Sequence, residues 1–139
     1  MNKQELIKSL DDVYCRLMPS EHGVGLFAIR DIPKGVDATK GCFSGEYIGI
    51  KPEELEGQPA EIIKYVKDFC AFQDGEYWMN EKGMNAIDPS FFMNNSREPN
   101  IATIDEGENF VTIREIKKGE EITSAYDTYD DNDAAKLNE

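Results

Sequence analysis

Leu6, Ile7 and Leu10 fall at helical spacing within Lys3 to Asp12, which predicts a short amphipathic helix over residues 1–12. From Val13 to Met18 apolar and polar residues alternate, the period of a strand, and Pro19-Ser20 is expected to end it. Gly23-Val24-Gly25 then runs into the apolar Leu26-Phe27-Ala28-Ile29. Ile62, Ile63, Val66, Phe69 and Cys70 predict a helix between Pro59 and Phe72, with proline in its first turn. Asp74 to Pro99 reads as a loop-rich stretch, with Gly75, Gly83, Pro89 and the asparagines Asn80, Asn85, Asn94 and Asn95, and Asn100 at its edge. Phe110 to Ile113 and Glu121 to Tyr126 read as strands separated by the turn Lys117-Lys118-Gly119. Short strands with few helices place the chain in the mainly β or α+β class.

Two segments echo one another. Ile29-Arg30-Asp31-Ile32-Pro33-Lys34-Gly35 and Ile113-Arg114-Glu115-Ile116-Lys117-Lys118-Gly119 share the pattern Ile-Arg-acid-Ile-x-Lys-Gly. Each reads as a strand with its outgoing turn, and the text between them is too different for a repeat array.

Composition narrows the function classes. With 139 residues the chain is one domain, and 40% hydrophobic residues are enough for a core. Fifteen Lys and Arg against 28 Asp and Glu leave a net charge of -13. By thirds the charge is -1 over residues 1–50, -5 over 51–100 and -7 over 101–139, so the acid gathers toward the end. That balance argues against direct nucleic-acid binding through a basic face and favours a basic protein or peptide partner. No apolar run approaches the roughly 20 residues of a membrane helix, and the N-terminus has no signal-like stretch. Cys15, Cys42 and Cys70 are widely spaced, which reads as reduced thiols and an intracellular setting, cytoplasmic or nuclear. His22 is the sole histidine, so a zinc enzyme is not expected and no metal is assigned. The acids Asp127, Asp130, Asp131 and Asp133 lack calcium-loop spacing and read as a solvated tail over 127–139.

Three segments could carry chemistry. Gly23-Val24-Gly25 lacks the third glycine of a dinucleotide fingerprint and precedes a strand, so it is a turn or a place for close backbone approach to a ligand. Phe92-Met93-Asn94-Asn95-Ser96-Arg97-Glu98-Pro99-Asn100 sets amides among apolar neighbours, where they must find partners: a neutral hydrogen-bonding ligand, or simply a turn. In Gly119-Glu120-Glu121-Ile122-Thr123-Ser124-Ala125-Tyr126 the two adjacent acids would face opposite sides of a strand, which disfavours paired-carboxylate hydrolysis. Tyr126 is either a core residue or a hydroxyl aimed into a site.

Read in order, these segments resemble the SET domain of protein lysine methyltransferases. Gly23-Val24-Gly25-Leu26-Phe27-Ala28 and Asp31-Ile32-Pro33-Lys34-Gly35 match its opening Gly-x-Gly-Leu-Phe-Ala element and the acid-Ile-x-x-Gly turn after it. Residues Phe92 to Asn100 match its Phe-x-Asn-His-Ser-x-x-Pro-Asn, and Ile116 to Tyr126 its Ile-x-x-Gly-Glu-Glu strand leading to a tyrosine. The resemblance covers about residues 13–130. It implies a single SET domain of small twisted sheets and a few short helices, with a threaded C-terminal pseudoknot. Its parts would be a strand-rich 13–50, a helical insert at 51–72, a cofactor and catalytic core at 90–126, and the tail. It implies that S-adenosylmethionine is the cofactor, with Gly23, Val24, Gly25, Leu26, Phe92, Asn94, Asn95 and Tyr126 around it. Tyr126 would stand at the methyl-transfer point, and Tyr47 and Tyr129 would line the channel of the substrate lysine.

The departures are specific. Asn95 stands where the family usually has His, and Arg97 where Cys is common. No cysteine cluster follows Tyr126, so the zinc-bound C-terminal module of many relatives is missing. Tyr129 with the acidic tail, or the second subunit of a homodimer, would have to close the channel. Either Phe43-Ser44-Gly45-Glu46 or Glu46-Tyr47-Ile48-Gly49 fits the family's aromatic-x-Gly strand. The expected activity is methyl transfer to a lysine of a protein, for instance a histone-like basic tail. The alternative is a non-catalytic SET-like module that binds a basic peptide or protein.

Overall fold

The computed structural model describes residues 1–21, 23–42, 45–105 and 109–131. His22, Phe43, Ser44 and the acids from Asp133 onward lie outside them. Among the described residues the fold has three small sheets and two short α-helices, and none of these sheets closes into a barrel.

Helix α1 (Lys3–Ser9) starts at Asn2, whose side chain accepts from the Glu5 N–H at 2.8 Å, and a 3₁₀ turn at Leu10–Asp12 continues it. Its apolar positions Leu6, Ile7 and Leu10 are exposed. Strand β1 (Cys15–Ser20) begins two residues later than the alternation predicts and runs through Pro19-Ser20. It is the edge of its sheet, where a proline removes no obligatory ladder bond. Gly23-Val24-Gly25 is not a turn: both glycines belong to β2 (Gly23–Ala28), which pairs antiparallel with β1 from Ser20↔Gly23 to Cys15↔Ala28.

The second sheet holds β3 (Tyr47–Ile50), β4 (Ala71–Gln73) and β5 (Glu76–Asn80) in the order β3-β5-β4. Of the two readings of the aromatic-x-Gly strand, Tyr47-Ile48-Gly49 is the strand observed. Helix α2 (Ala60–Phe69) is capped by Pro59 and ends before Phe72, because Cys70 is already extended. It buries Val66 among Leu55, Cys70 and Tyr77. The β4–β5 hairpin takes Ala71 and Phe72 from the end of the expected helical stretch and Glu76–Asn80 from the expected loop. Asp74 and Gly75 both take positive φ, 55° and 79°, the two-residue turn whose twist matches a hairpin.

Strand β6 (Asn94–Asn95) runs parallel to β9 (Glu121–Ser124), and the first sheet has the order β1-β2-β9-β6. Strand β9, the last among the described residues, therefore lies between two earlier segments, the juxtaposition a threaded fold requires. Asn100 locks it there. Its Nδ2 donates to the Glu121 carbonyl at 2.7 Å, and its Oδ1 accepts from the Thr123 N–H at 2.9 Å. The third sheet pairs β7 (Ile101–Thr103) with β8 (Phe110–Thr112), one residue shorter than the predicted Phe110 to Ile113. The predicted strand through Tyr126 stops at Ser124, and Tyr126–Thr128 forms a 3₁₀ turn.

The two echoing segments pair with each other. Each supplies a single bridge residue and a turn rather than a strand. Ile32 and Ile116 exchange both backbone hydrogen bonds, at 2.7 and 2.9 Å, and are fully buried in the main core. The Gly35 N–H bonds the Thr112 carbonyl at 2.8 Å, and the Gly119 N–H bonds the Ala28 carbonyl at 2.9 Å. These positions correspond in the two segments, so the arch has a local two-fold relation. Both glycines take positive φ there.

The acidic end is not a solvated tail as far as Asp131. Asp130 is buried and accepts from the Phe72 N–H at 3.2 Å, and the Asp131 N–H donates to the Phe72 carbonyl at 2.7 Å. The Asp131 carboxylate also accepts from the Asp74 N–H at 3.2 Å. These acids cap the edge of β4, which holds residues 129–131 against the second sheet.

Candidate functional site

Tyr126 is fixed at both ends by the segment before and within β6. Its N–H donates to Asn95 Oδ1 at 2.8 Å and its hydroxyl donates to the Met93 carbonyl at 2.6 Å. Two positions far apart in sequence thus orient one phenol. Its ring meets Tyr129 edge-on at 5.9 Å between centroids, and Tyr129 in turn meets Phe110 at 5.3 Å. The Tyr129 hydroxyl bonds Ser124 at 2.8 Å, and burial pushes its phenol well above the ordinary range.

A cleft of about 550 Å³ opens beside these rings. Tyr47, Phe69, Trp78, Phe91, Met93, Phe110, Tyr126 and Tyr129 line it, together with the acids Glu46, Asp68 and Asp130. No basic side chain among the described residues lines it. The Tyr47 hydroxyl is inaccessible to solvent, and burial raises its pKa. An aromatic slot with an acidic rim suits a long aliphatic chain ending in an amine. The rim attracts the cation, and the rings offer their faces to it while excluding water.

The predicted cofactor residues fall into separate settings. Gly23 and Val24 are exposed at the start of β2, and a Cβ built on Gly23 would meet nothing within 4 Å. This bare stretch of backbone fits the approach of a ligand to the main chain. Gly25 is buried instead, under the carboxylate of Glu121. The Asn94 side chain donates to Glu121 Oε2 at 2.6 Å and lies 3.3 Å from both the Val24 carbonyl and Ser20 Oγ. Leu26 is fully buried in the core, so its side chain serves packing. Phe92 packs against Phe69 at 5.3 Å between ring centroids, on the short turn Pro89–Phe92 that lies against β2.

The asparagines therefore find chain partners, an outcome the sequence left open beside ligand recognition. Trp78, Phe69, Phe91, Phe110 and Asp130 were not anticipated in the cleft. The Asp74-Gly75 pair between aromatic residues was the available signal for Trp78, since it announces a hairpin. The adjacent acids do part as expected. Glu120 accepts from the Lys117 N–H at 2.8 Å and pairs with Arg114 at 3.1 Å, and these contacts hold its carboxyl below the usual range.

Cys15, Cys42 and Cys70 are unbridged. Burial pushes the Cys15 thiol up to about 11, and burial with the nearby Asp88 carboxylate pushes Cys42 up to about 12. The folded chain holds these protons more tightly than the unfolded one, whose thiols titrate near pH 8.5. Their contribution is intact below about pH 8.5 and is lost as pH rises through the folded values. Melting temperature is expected to fall from about pH 9 toward pH 11. Iodoacetamide at pH 8.5 is expected to label the native thiols at least tenfold more slowly than the urea-unfolded ones.

Among the described residues no helix is long and apolar enough to cross a membrane, and no group of three or more His, Cys, Asp or Glu could hold a metal ion. The family model described as SET domain matches residues 23–127, more than half of the chain. No curated protein matches the sequence.

Proposed function

The chain belongs to the SET-domain family, and from that premise we propose that it transfers methyl groups from S-adenosylmethionine to lysine side chains of proteins. The observation that carries this reading is the Tyr126 phenol, clamped by Met93 and Asn95 at the side of an aromatic, acid-rimmed cleft. The main chain of Gly23 and Val24, the Asn94-Asn95 segment and Tyr126 would hold the cofactor. When bound, the cofactor supplies a methyl group on a sulfonium, and its transfer to an amine leaves a neutral thioether.

The chain's own part is placement. For an in-line displacement, the residues of the cleft would have to hold the amine in line with the methyl group that the bound cofactor supplies. Aligned atoms matter more than a charged catalyst. The amine must arrive neutral, and the rings of Tyr47, Trp78 and Tyr129 exclude the water that would favour the ammonium. The exposed Glu46 carboxylate draws in a basic segment before that step, whereas Asp68 is already paired with Lys64 at 2.8 Å. The hydroxyl of Tyr126, already donating to Met93, presents its oxygen to the polarised methyl and amine.

Asn95 in place of the usual His does not remove this frame, because its amide oxygen holds the Tyr126 N–H. The partner proposed is a basic protein, in an intracellular setting. Incubation with radiolabelled S-adenosylmethionine and a panel of basic proteins is expected to label lysine in at least one of them. Calorimetry separates the rival reading. A chain that binds basic peptide but takes up no S-adenosylmethionine at millimolar concentration is a binding module, and the methyltransferase reading fails.

A further inference from the structure

We propose that Glu121 is the contact through which the chain meets the cationic part of its methyl donor, and that Asn94 and Gly25 are arranged to present it. The inference rests on the methyltransferase reading and adds a residue to it. Glu121 lies opposite Phe27 in the ladder, so its side chain leaves the face of the sheet opposite to the buried Ile122. There its carboxylate settles on the backbone of Gly25. A Cβ at position 25 would sit 2.5 Å from Glu121 Oε2 and 3.1 Å from Cδ.

Gly25, unlike Gly23, has no positive φ, so backbone conformation does not call for glycine there. Room does, and the carboxylate uses that room. Asn94 holds the same carboxylate oxygen, Oε2, with a donor at 2.6 Å. That donor is a neutral amide, which fixes the acid without cancelling its charge. Among the described residues no Lys or Arg forms an ion pair with Glu121.

A half-buried carboxylate with one neutral donor is an anion short of a cation, and such a group gains most when a positive ligand reaches it. It sits next to the exposed backbone of Gly23 and Val24 and to β6, where the donor is proposed to bind. S-adenosylmethionine offers two positive centres, an ammonium and a sulfonium. The acid is thus a binding determinant with a built support, and a side chain at position 25 would displace the carboxylate and press on Phe27, whose Cε1 lies 3.1 Å from the Cβ position.

Calorimetric titration of wild type, Glu121→Gln and Gly25→Ala with S-adenosylmethionine and with S-adenosylhomocysteine tests this, alongside melting curves without ligand. Glu121→Gln keeps the size and an acceptor for Asn94 but removes the charge. Its affinity for S-adenosylmethionine is expected to drop at least tenfold with little change in melting temperature, and Gly25→Ala, which displaces the carboxylate, is expected to lose binding as well. An equal loss for both ligands assigns the contact to the ammonium, and a loss for S-adenosylmethionine alone assigns it to the sulfonium. Unchanged affinity in Glu121→Gln overturns the inference while leaving the cofactor reading intact. A fall in melting temperature of about 10 °C or more in that variant makes Glu121 a structural tie and overturns it too. Absence of binding by the wild type instead sinks the cofactor reading itself.

Discussion

Replacing Tyr126 with Phe is expected to lower methyl transfer at least tenfold, about 1.4 kcal/mol in the barrier, while the protein stays folded. The substitution keeps the ring and its edge-on contact with Tyr129, so the wall of the cleft is preserved. What it removes is one oxygen whose position is fixed by the bond to the Met93 carbonyl at 2.6 Å. A phenol tied in this way cannot swing as methyl and amine approach, which is the benefit of a preorganised dipole. The loss of that bond also leaves a buried carbonyl with one partner fewer, a stability cost of about 1 kcal/mol. The measurement is the initial rate at saturating cofactor and peptide, with cofactor affinity determined separately by calorimetry. A lower rate at unchanged affinity places the hydroxyl in the chemical step. A rate near that of the wild type removes Tyr126 from it.

The placement of Tyr126 is also where sequence and structure diverge most usefully. The tyrosine itself was legible, because the Gly-Glu-Glu-Ile run leading to it is distinctive. Its supports were not. Asn95 and Met93 lie some thirty residues upstream, and they reach Tyr126 only because a two-residue strand, β6, pairs in parallel with β9. Two residues carry no period, so alternation could not announce that strand. The Ile32–Ile116 bridge was half visible: the repeated text marked both segments, and only the fold could pair them. The β4–β5 hairpin had a local signal in Asp74-Gly75, outweighed by a surrounding stretch rich in glycine and asparagine. The cleft draws its walls from five or more separate segments, and no linear motif carries such a constellation. Adjacency on a strand separates Glu121 from Glu120, yet nothing along the chain places it over Gly25.

Asn100→Ala is expected to be the most destabilising exchange of a polar residue in the chain, by about 2–5 kcal/mol. The side chain is nearly inaccessible to solvent, at 2% exposure, and bonds β9 in both directions. It donates to the Glu121 carbonyl at 2.7 Å and accepts from the Thr123 N–H at 2.9 Å, doing for the strand what a neighbouring backbone would do. The Asn100 N–H also donates to the Thr123 carbonyl at 3.2 Å, and the Ile113 N–H bonds the Asn100 carbonyl at 3.0 Å. Alanine keeps those main-chain bonds but strands one carbonyl and one N–H of β9 away from water, and each such group costs about 1–3 kcal/mol. The small cavity left by the amide adds to this. Asn100→Asp is expected to fare no better at neutral pH, since a carboxylate cannot donate to the Glu121 carbonyl and would be buried with its charge. Urea unfolding followed by ellipticity measures the effect directly. A loss below about 0.5 kcal/mol, the size typical of exposed sites, would mean that β9 is held without its asparagine lock. Because β9 carries both Glu121 and the approach to Tyr126, loosening it is also expected to weaken cofactor affinity before the protein unfolds, a coupling that calorimetry at low urea would reveal.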